Sequence, residues 1–247
     1  MLVLALTAVA VLGVGIGATG IGGVGLAPVL IELWNVPLEA AVPTCLAAFL
    51  MTGVIGVFMH RRSFHAAPGE AVTIALACTV GAIAGAAVFP FISPVYIEYA
   101  IGLLMLIGGG LELSRGKLML PAGGRGLPRG IPPLALIGVA VGAGSALTGT
   151  GGPVLYVPLM FLLGGEVRNT VAIAQLIQIP IAGAATGVYL AREALDLYLV
   201  LTIGLCLAVG AVAGALLIQR LNTRILRKTI GLCMVFGGIG FLSLRLS

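Results

Sequence analysis

The sequence predicts an all-α polytopic membrane protein built from two homologous halves in an inverted repeat, each half a Gly/Pro-broken first element followed by three transmembrane helices. Three observations predict it. Of 247 residues, 60% are hydrophobic and only 9% charged, whereas a soluble domain carries roughly 25% charged residues. Well-separated segments recur 129 positions apart: Ile101-Gly102-Leu103-Leu104-Met105 and Ile230-Gly231-Leu232-Cys233-Met234, Gly81-Ala82-Ile83-Ala84-Gly85 and Gly210-Ala211-Val212-Ala213-Gly214, and Gly15, Thr19, Gly20, Gly22 and Gly23 on Gly144, Thr148, Gly149, Gly151 and Gly152. Basic residues collect in a few short connections.

At about 20 residues per span the chain fills with membrane elements and leaves no room for a separate soluble domain. The apolar start Met1-Leu2-Val3-Leu4 lacks a basic region and runs on past any plausible cleavage point, so it is expected to be the first membrane element and not a removed signal peptide. Apolar elements are expected at about 3–31, 36–59, 69–90 and 95–113, and again at 132–163, 169–190, 197–219 and 229–246. They group into an N-terminal membrane repeat (1–113), a basic cytoplasmic connecting loop (114–130) and a C-terminal membrane repeat (131–247).

The first element of each half is long for one span and short for two. If every element crossed once, the basic cluster Arg220, Arg224, Arg227 and Lys228 would lie opposite His60-Arg61-Arg62 and the run Arg115 to Arg129. If the first element enters and returns, all three clusters become cytoplasmic, as the positive-inside rule asks, and the halves acquire opposite orientations. A plain eight-span parallel repeat is the alternative.

Gly20-Ile21-Gly22-Gly23-Val24-Gly25 formally contains GxGxxG. Its flanks are membrane-like, and the partner copy Gly149-Thr150-Gly151-Gly152-Pro153-Val154 lacks the third glycine, so no dinucleotide and no other cofactor is expected. A broken helix explains the pattern better. Consecutive glycines weaken a helix and permit left-handed backbone, while Pro28, Pro153 and Pro158 remove donors or preset a new start. Half-helix ends at mid-membrane then offer free N–H groups and a partial positive charge to an anion. The GxxxG pairs Gly13/Gly17, Gly81/Gly85, Gly183/Gly187 and Gly210/Gly214 are expected to serve close helix packing instead.

The glycine cluster, the proline after it, a short loop and Ala41-Val42-Pro43-Thr44-Cys45, with the repeated cluster and Asn169-Thr170-Val171-Ala172, resemble the sulfite exporter TauE/SafE family over nearly the whole chain. The resemblance implies a carrier of small sulfur-containing anions, sulfite or an organosulfonate such as sulfoacetate, in the cytoplasmic membrane. Many members of that family have Ser or Thr early in the second element's helix. Here Thr44-Cys45 stand in one half and Ile173-Ala174 in the other, which implies an asymmetric site.

Polar side chains at membrane depth are costly and mark either function or interhelical bonding. Gln175 and Gln178 share one helical face, opposite Leu46 and Phe49 in the repeat register. Together with Thr19, Gly22, Gly23, Thr44, Cys45, Thr148, Gly151 and Gly152 they form the candidate substrate-binding set. Backbone bonding is the competing role for the threonines. Arg168 beside Glu166, and His60 and His65 beside the arginines, fit loop roles, while Trp34, Tyr96, Tyr189 and Tyr198 fit interfacial belts.

Glu32, Glu39, Glu70, Glu98, Glu112, Glu166, Glu193 and Asp196 all fall near element ends. A cation carrier normally needs a carboxylate in mid-span, so an anion is favoured as the substrate, with a proton or ion left open as coupling partner. Cys45, Cys78, Cys206 and Cys233 show neither CxxC spacing nor histidine neighbours, and no catalytic constellation appears, so neither metal, nucleic-acid binding nor enzyme chemistry is expected. The alternatives are an anion channel, or a membrane accessory subunit or enzyme acting on a thiol or lipid through Cys45.

Overall fold

The computed structural model describes residues 2–19, 22–61, 68–114, 131–163, 167–192, 195–220 and 223–246. Among them are ten α-helices and no strand: α1 (Leu2–Thr19), α2 (Leu26–Trp34), α3 (Leu38–His60), α4 (Pro68–Val88), α5 (Pro94–Ser114), α6 (Ile131–Thr148), α7 (Pro153–Leu162), α8 (Val167–Leu190), α9 (Leu197–Arg220) and α10 (Thr223–Leu246). A 3-10 turn, Gly22–Gly25, leads into α2. Helix starts recur in the 129-residue register, Leu2 with Ile131, Leu38 with Val167, Pro68 with Leu197 and Pro94 with Thr223.

Five segments are long and apolar enough to cross a membrane, Leu38–Met59, Gly69–Phe91, Pro94–Leu111, Asn169–Leu190 and Leu197–Leu217. The protein is therefore a multi-pass membrane protein. Within lipid, helices gain little by hiding apolar faces and associate through close packing. The main packing here joins the two halves: α4 with α6, α1 with α9, α5 with α10 and α3 with α8.

Glycines make the closest approaches. On α1 and α9, Gly13 lies on Leu207 and Gly210, Gly17 on Ala211, and Gly214 on Val14. On α4 and α6, Gly81 lies on Val139, Gly85 on Ala143 and Gly142 on Cys78. Residue numbers rise together in both pairs, so these helices run parallel. The repeat-related pairs do the opposite. Gly56 meets Gln175, Gly53 meets Gln178 and Ile179, and Gly183 meets Leu50, so α3 and α8 are antiparallel. Gly102 meets Leu242 and Gly109 meets Gly231, so α5 and α10 are antiparallel too.

Three of the four GxxxG pairs thus pack as expected. Gly183/Gly187 does not: a Cβ on Gly183 would sit 3.7 Å from Leu50, an ordinary contact, and one on Gly187 would meet nothing within 4 Å. That face of α8 has no helix backbone pressed against it.

The expected element 3–31 is α1, the 3-10 turn and α2, and 132–163 is α6 and α7. Both reverse direction. A Cβ on Gly22 would lie 2.8 Å from the backbone of Gly15 and Ile16, and one on Gly25 would lie 2.9 Å from Leu12, so the chain runs back along α1. In the second half Leu155 returns to within 2.8 Å of a Cβ on Gly144.

If glycine contacts hold the halves together, Gly81→Ala pushes a methyl onto the Val139 carbonyl oxygen. Overpacking of this kind costs about 1–3 kcal/mol. Gly187→Ala has open space and improves helix propensity. Thermal unfolding in detergent is expected to show a lower midpoint for the first variant and an unchanged or higher one for the second. Equal midpoints would remove the packing role assigned to Gly81.

Candidate functional site

The two glycine breaks meet at one side chain. Phe49 lies close to the middle of α3. A Cβ on Gly23 would fall 2.9 Å from its Cζ, and one on Gly151 would fall 2.8 Å from its Cδ2. Gly149 sits against Val42 and Cys45 of the same helix, and Gly152 sits against Ile181, Ile177 and Gln178 of α8. The structure therefore brings Gly23, Gly151, Gly152, Cys45 and Gln178 around Phe49.

The breaks are built differently. Gly149, Gly151 and Gly152 have φ of 67°, 74° and 114°, left-handed values that favour glycine, whereas the described glycines of the first break carry no positive φ and form the 3-10 turn. After Gly152 the chain restarts as α7 at Pro153, whose missing N–H is no loss at a helix start. Leu155 and Tyr156 donate their N–H groups to the Gly152 carbonyl at 3.1 and 3.0 Å. Thr150 N–H donates to Ser145 O at 3.2 Å and closes the end of α6.

Gln178 is fully engaged between helices on its donor side. Its Nε2 donates to Phe49 O at 3.0 Å and to Thr52 Oγ1 at 2.8 Å. Phe49 and Gln178 are repeat equivalents, 129 residues apart. The duplication thus places one amide against the backbone of its own counterpart where α3 and α8 cross. Thr52 completes the knot by donating to Phe49 O at 3.2 Å.

Gln175 faces a neighbouring space. It is 1% exposed, its Oε1 lies against Gly56, and that oxygen has no hydrogen-bond partner. It borders a cavity of about 10 Å³ with Thr52, Ile16, Gly17 and Ala211, room for about one water. Thr44 is 1% exposed with its hydroxyl unpartnered. Cys45 is buried beside it.

Thr148 donates to Gly144 O at 2.7 Å, so its proton is used within α6, and Thr150 is left to donate across the 3.0 Å hydroxyl pair they form. Gly22 lies against the backbone of α1 and not against Phe49. The side chains of Thr19, His60 and Arg168, together with His65, Glu166 and Glu193, lie outside the described residues, as does 115–130 of the expected connecting loop.

Tyr189 departs from the expected belt. It is 1% exposed, donates its hydroxyl to Ala146 O at 3.0 Å and stands edge-on to Phe89 at 5.6 Å. Its neighbour Arg192 donates to the carbonyls of Ala86 and Ala87 at 3.2 and 3.1 Å. The α8 end is therefore pinned to α4 and α6, which a position near a span end does not reveal. Tyr96 and Tyr198 are exposed, 72% and 81%, as a belt requires. Sequence reading also passed over Phe49, Thr52 and Thr150. The register alone, which pairs Phe49 with Gln178, was the available signal.

Comparison with known proteins decides the family. The description Sulfite exporter TauE/SafE matches residues 4–241. The chain belongs to the sulfite exporter TauE/SafE family. Within reach of it by sequence is a protein named "Probable membrane transporter protein YdhB" from Bacillus subtilis (strain 168), 26% identical over 210 residues that cover 83% of this chain and 85% of that one. No solved structure matches. Membership in the TauE/SafE family makes this chain a membrane transporter, and the crossing at Phe49 is where its two glycine breaks converge.

Removing that knot has a measurable consequence. Gln178→Leu deletes two interhelical hydrogen bonds, each worth about 0.6 kcal/mol on average between membrane helices. Gly151→Ala forces a left-handed alanine, at about 1–2 kcal/mol, and presses its methyl on Phe49. Thermal unfolding is expected to rank wild type above Gln178→Leu above Gly151→Ala. Shortening Phe49 to Leu in the Gly151→Ala background is expected to recover the steric part alone. Full recovery would contradict the backbone strain.

Proposed function

We propose that the protein is a secondary transporter that moves a small sulfur-containing anion, sulfite or an organosulfonate such as sulfoacetate, across the cytoplasmic membrane by alternating exposure of a central site between its two halves. The observation that carries the reading is the convergence of both glycine breaks on Phe49. Each half carries a break that places helix ends near one shared level, and discontinuous helices hold anions at such ends. The polar side chains nearest the crossing are neutral: Thr44, Thr52, Gln175 and Gln178. Glu98 stands near the start of α5, away from that level.

Antiparallel packing of repeat-related helices supports an inverted repeat. With each first element turning back, the C-terminal ends of α3, α5 and α9 share one face, and in the sequence each of these helices ends in or is followed by a basic run. We read that face as cytoplasmic. The opposite face carries Glu32, Glu39, Glu98 and Asp196.

The closed centre supports a carrier over a channel. Phe49 stands between the breaks, and the neighbouring cavity admits about one water. An anion requires Phe49 to separate from Gly23 or Gly151. The family description brings sulfite to this chain as a candidate substrate.

Flux into liposomes carrying the purified protein tests the reading across sulfite, sulfoacetate, thiosulfate, sulfate and a neutral solute, with and without a pH gradient. Saturable movement of a sulfur anion is expected, with severe loss in Gly151→Leu and Gln175→Leu and a milder loss in Thr44→Val. Silence across the panel from folded protein would reject the substrate class. Undiminished flux in all three variants would reject the site.

A further inference from the structure

A groove of about 420 Å³ opens on the outer surface between the α1–α2 hairpin and α10, walled by Leu12, Gly25, Val29, Gly237, Gly240 and Phe241. Its inner wall includes Gly22, the back of the first glycine break. In the second half α5 packs on both α6 and α7, whereas in the first α10 reaches the 3-10 turn and makes no comparable contact with α1 or α2.

The difference is written in the repeat register. Gly25 corresponds to Val154, which is 2% exposed; Gly240 corresponds to Leu111, and Cys233 to Leu104. The second half carries larger side chains at these register positions. A groove of this size cannot stay empty beside close-packed helices without forfeiting dispersion contacts along its walls. Water gains nothing there, since apolar cavities stay dry. Val11, Phe236 and Ile239 around it are exposed, so the medium at its mouth is hydrocarbon.

One end of the groove is ionic. Arg245 lies 2.7 Å from Glu32 and 3.0 Å from Glu98, and its guanidinium also stacks over Phe241 at 5.0 Å. Two carboxylates on one guanidinium leave a net negative charge at that end.

We propose that a bilayer lipid occupies this groove, with one acyl chain against Gly25, Gly237 and Gly240 and an ammonium headgroup at Glu32 and Glu98. The chain lies against Gly22 and braces the first glycine break from behind. Hydrocarbon supplies the fit and the carboxylates supply the choice of head: an aminolipid such as phosphatidylethanolamine binds, and an anionic phosphatidylglycerol is repelled.

Native mass spectrometry of protein purified in mild detergent, with extraction and identification of the retained lipid, tests this without any transport assay. Wild type is expected to retain phosphatidylethanolamine. Gly240→Leu installs the residue that the second half carries at this point, and a Cβ at Gly240 meets nothing within 4 Å, so the variant folds and loses the lipid. Glu32→Gln keeps a lipid but loses the preference when the protein is exchanged into mixtures of the two headgroups. Equal retention by wild type and Gly240→Leu, or a wild type free of lipid, would overturn the proposal. So would efficient bismaleimide linkage of two chains through the exposed groove residue Cys233, which would make the occupant a second copy.

Discussion

Backbone-to-backbone approach at glycine is the constraint on which this structure rests. A bilayer removes the usual reward for burying apolar faces, because lipid tails are as apolar as the helices they surround. What remains is contact density, and α1 with α9 and α4 with α6 obtain it by omitting side chains where carbonyl oxygens of the neighbour pass. Gly17 on Ala211 and Gly81 on Val139 are such points. Since both pairs join different halves, neither half is expected to reach its packed form alone. The duplicated units are interleaved, not set side by side.

That interleaving puts α3 and α8 at the centre, where a polar contact becomes affordable. Nε2 of Gln178 has two acceptors in Phe49 O and Thr52 Oγ1, so the cost of burying an amide is offset locally. A carbonyl already satisfied within its own helix accepts the additional bonds. The knot fixes how α3 crosses α8 and so fixes where Phe49 stands between Gly23 and Gly151. Position at the site follows from a bond whose chemistry concerns packing.

The helical fold and the element spacing were legible because apolar runs are local, countable patterns. The 129-residue offset that aligns Gly15 with Gly144 also aligns Leu38 with Val167 at helix starts. Roles of single side chains were less legible. Tyr189 sits near a span end like Tyr198, yet one is buried against Phe89 and the other is 81% exposed. Depth along a helix is readable from sequence; the direction a side chain faces depends on which neighbours arrive, and here those neighbours come from the other half. Gly183/Gly187 shares its spacing with Gly81/Gly85 and lacks only the partner helix.

The sequence put the candidate site at a pair of glycine breaks and left Phe49 out of it. Phe49 carries no polar atom in its side chain and attracts no attention by residue type, although it touches both breaks. Its equivalence to Gln178 shows what the duplication has been used for. Identical halves would place like residues against each other at the crossing, two amides or two rings. Divergence gives one ring that plugs and one amide that ties. The same divergence sets Gln175 against Leu46 and Thr44 against Ile173, so the polar groups beside the crossing are distributed unequally between the halves. On the proposed transport reading, an anion held at this crossing would meet different donors from each side, so the two exposures would differ in energy and side chains, not the shared backbone plan, would set the resting state.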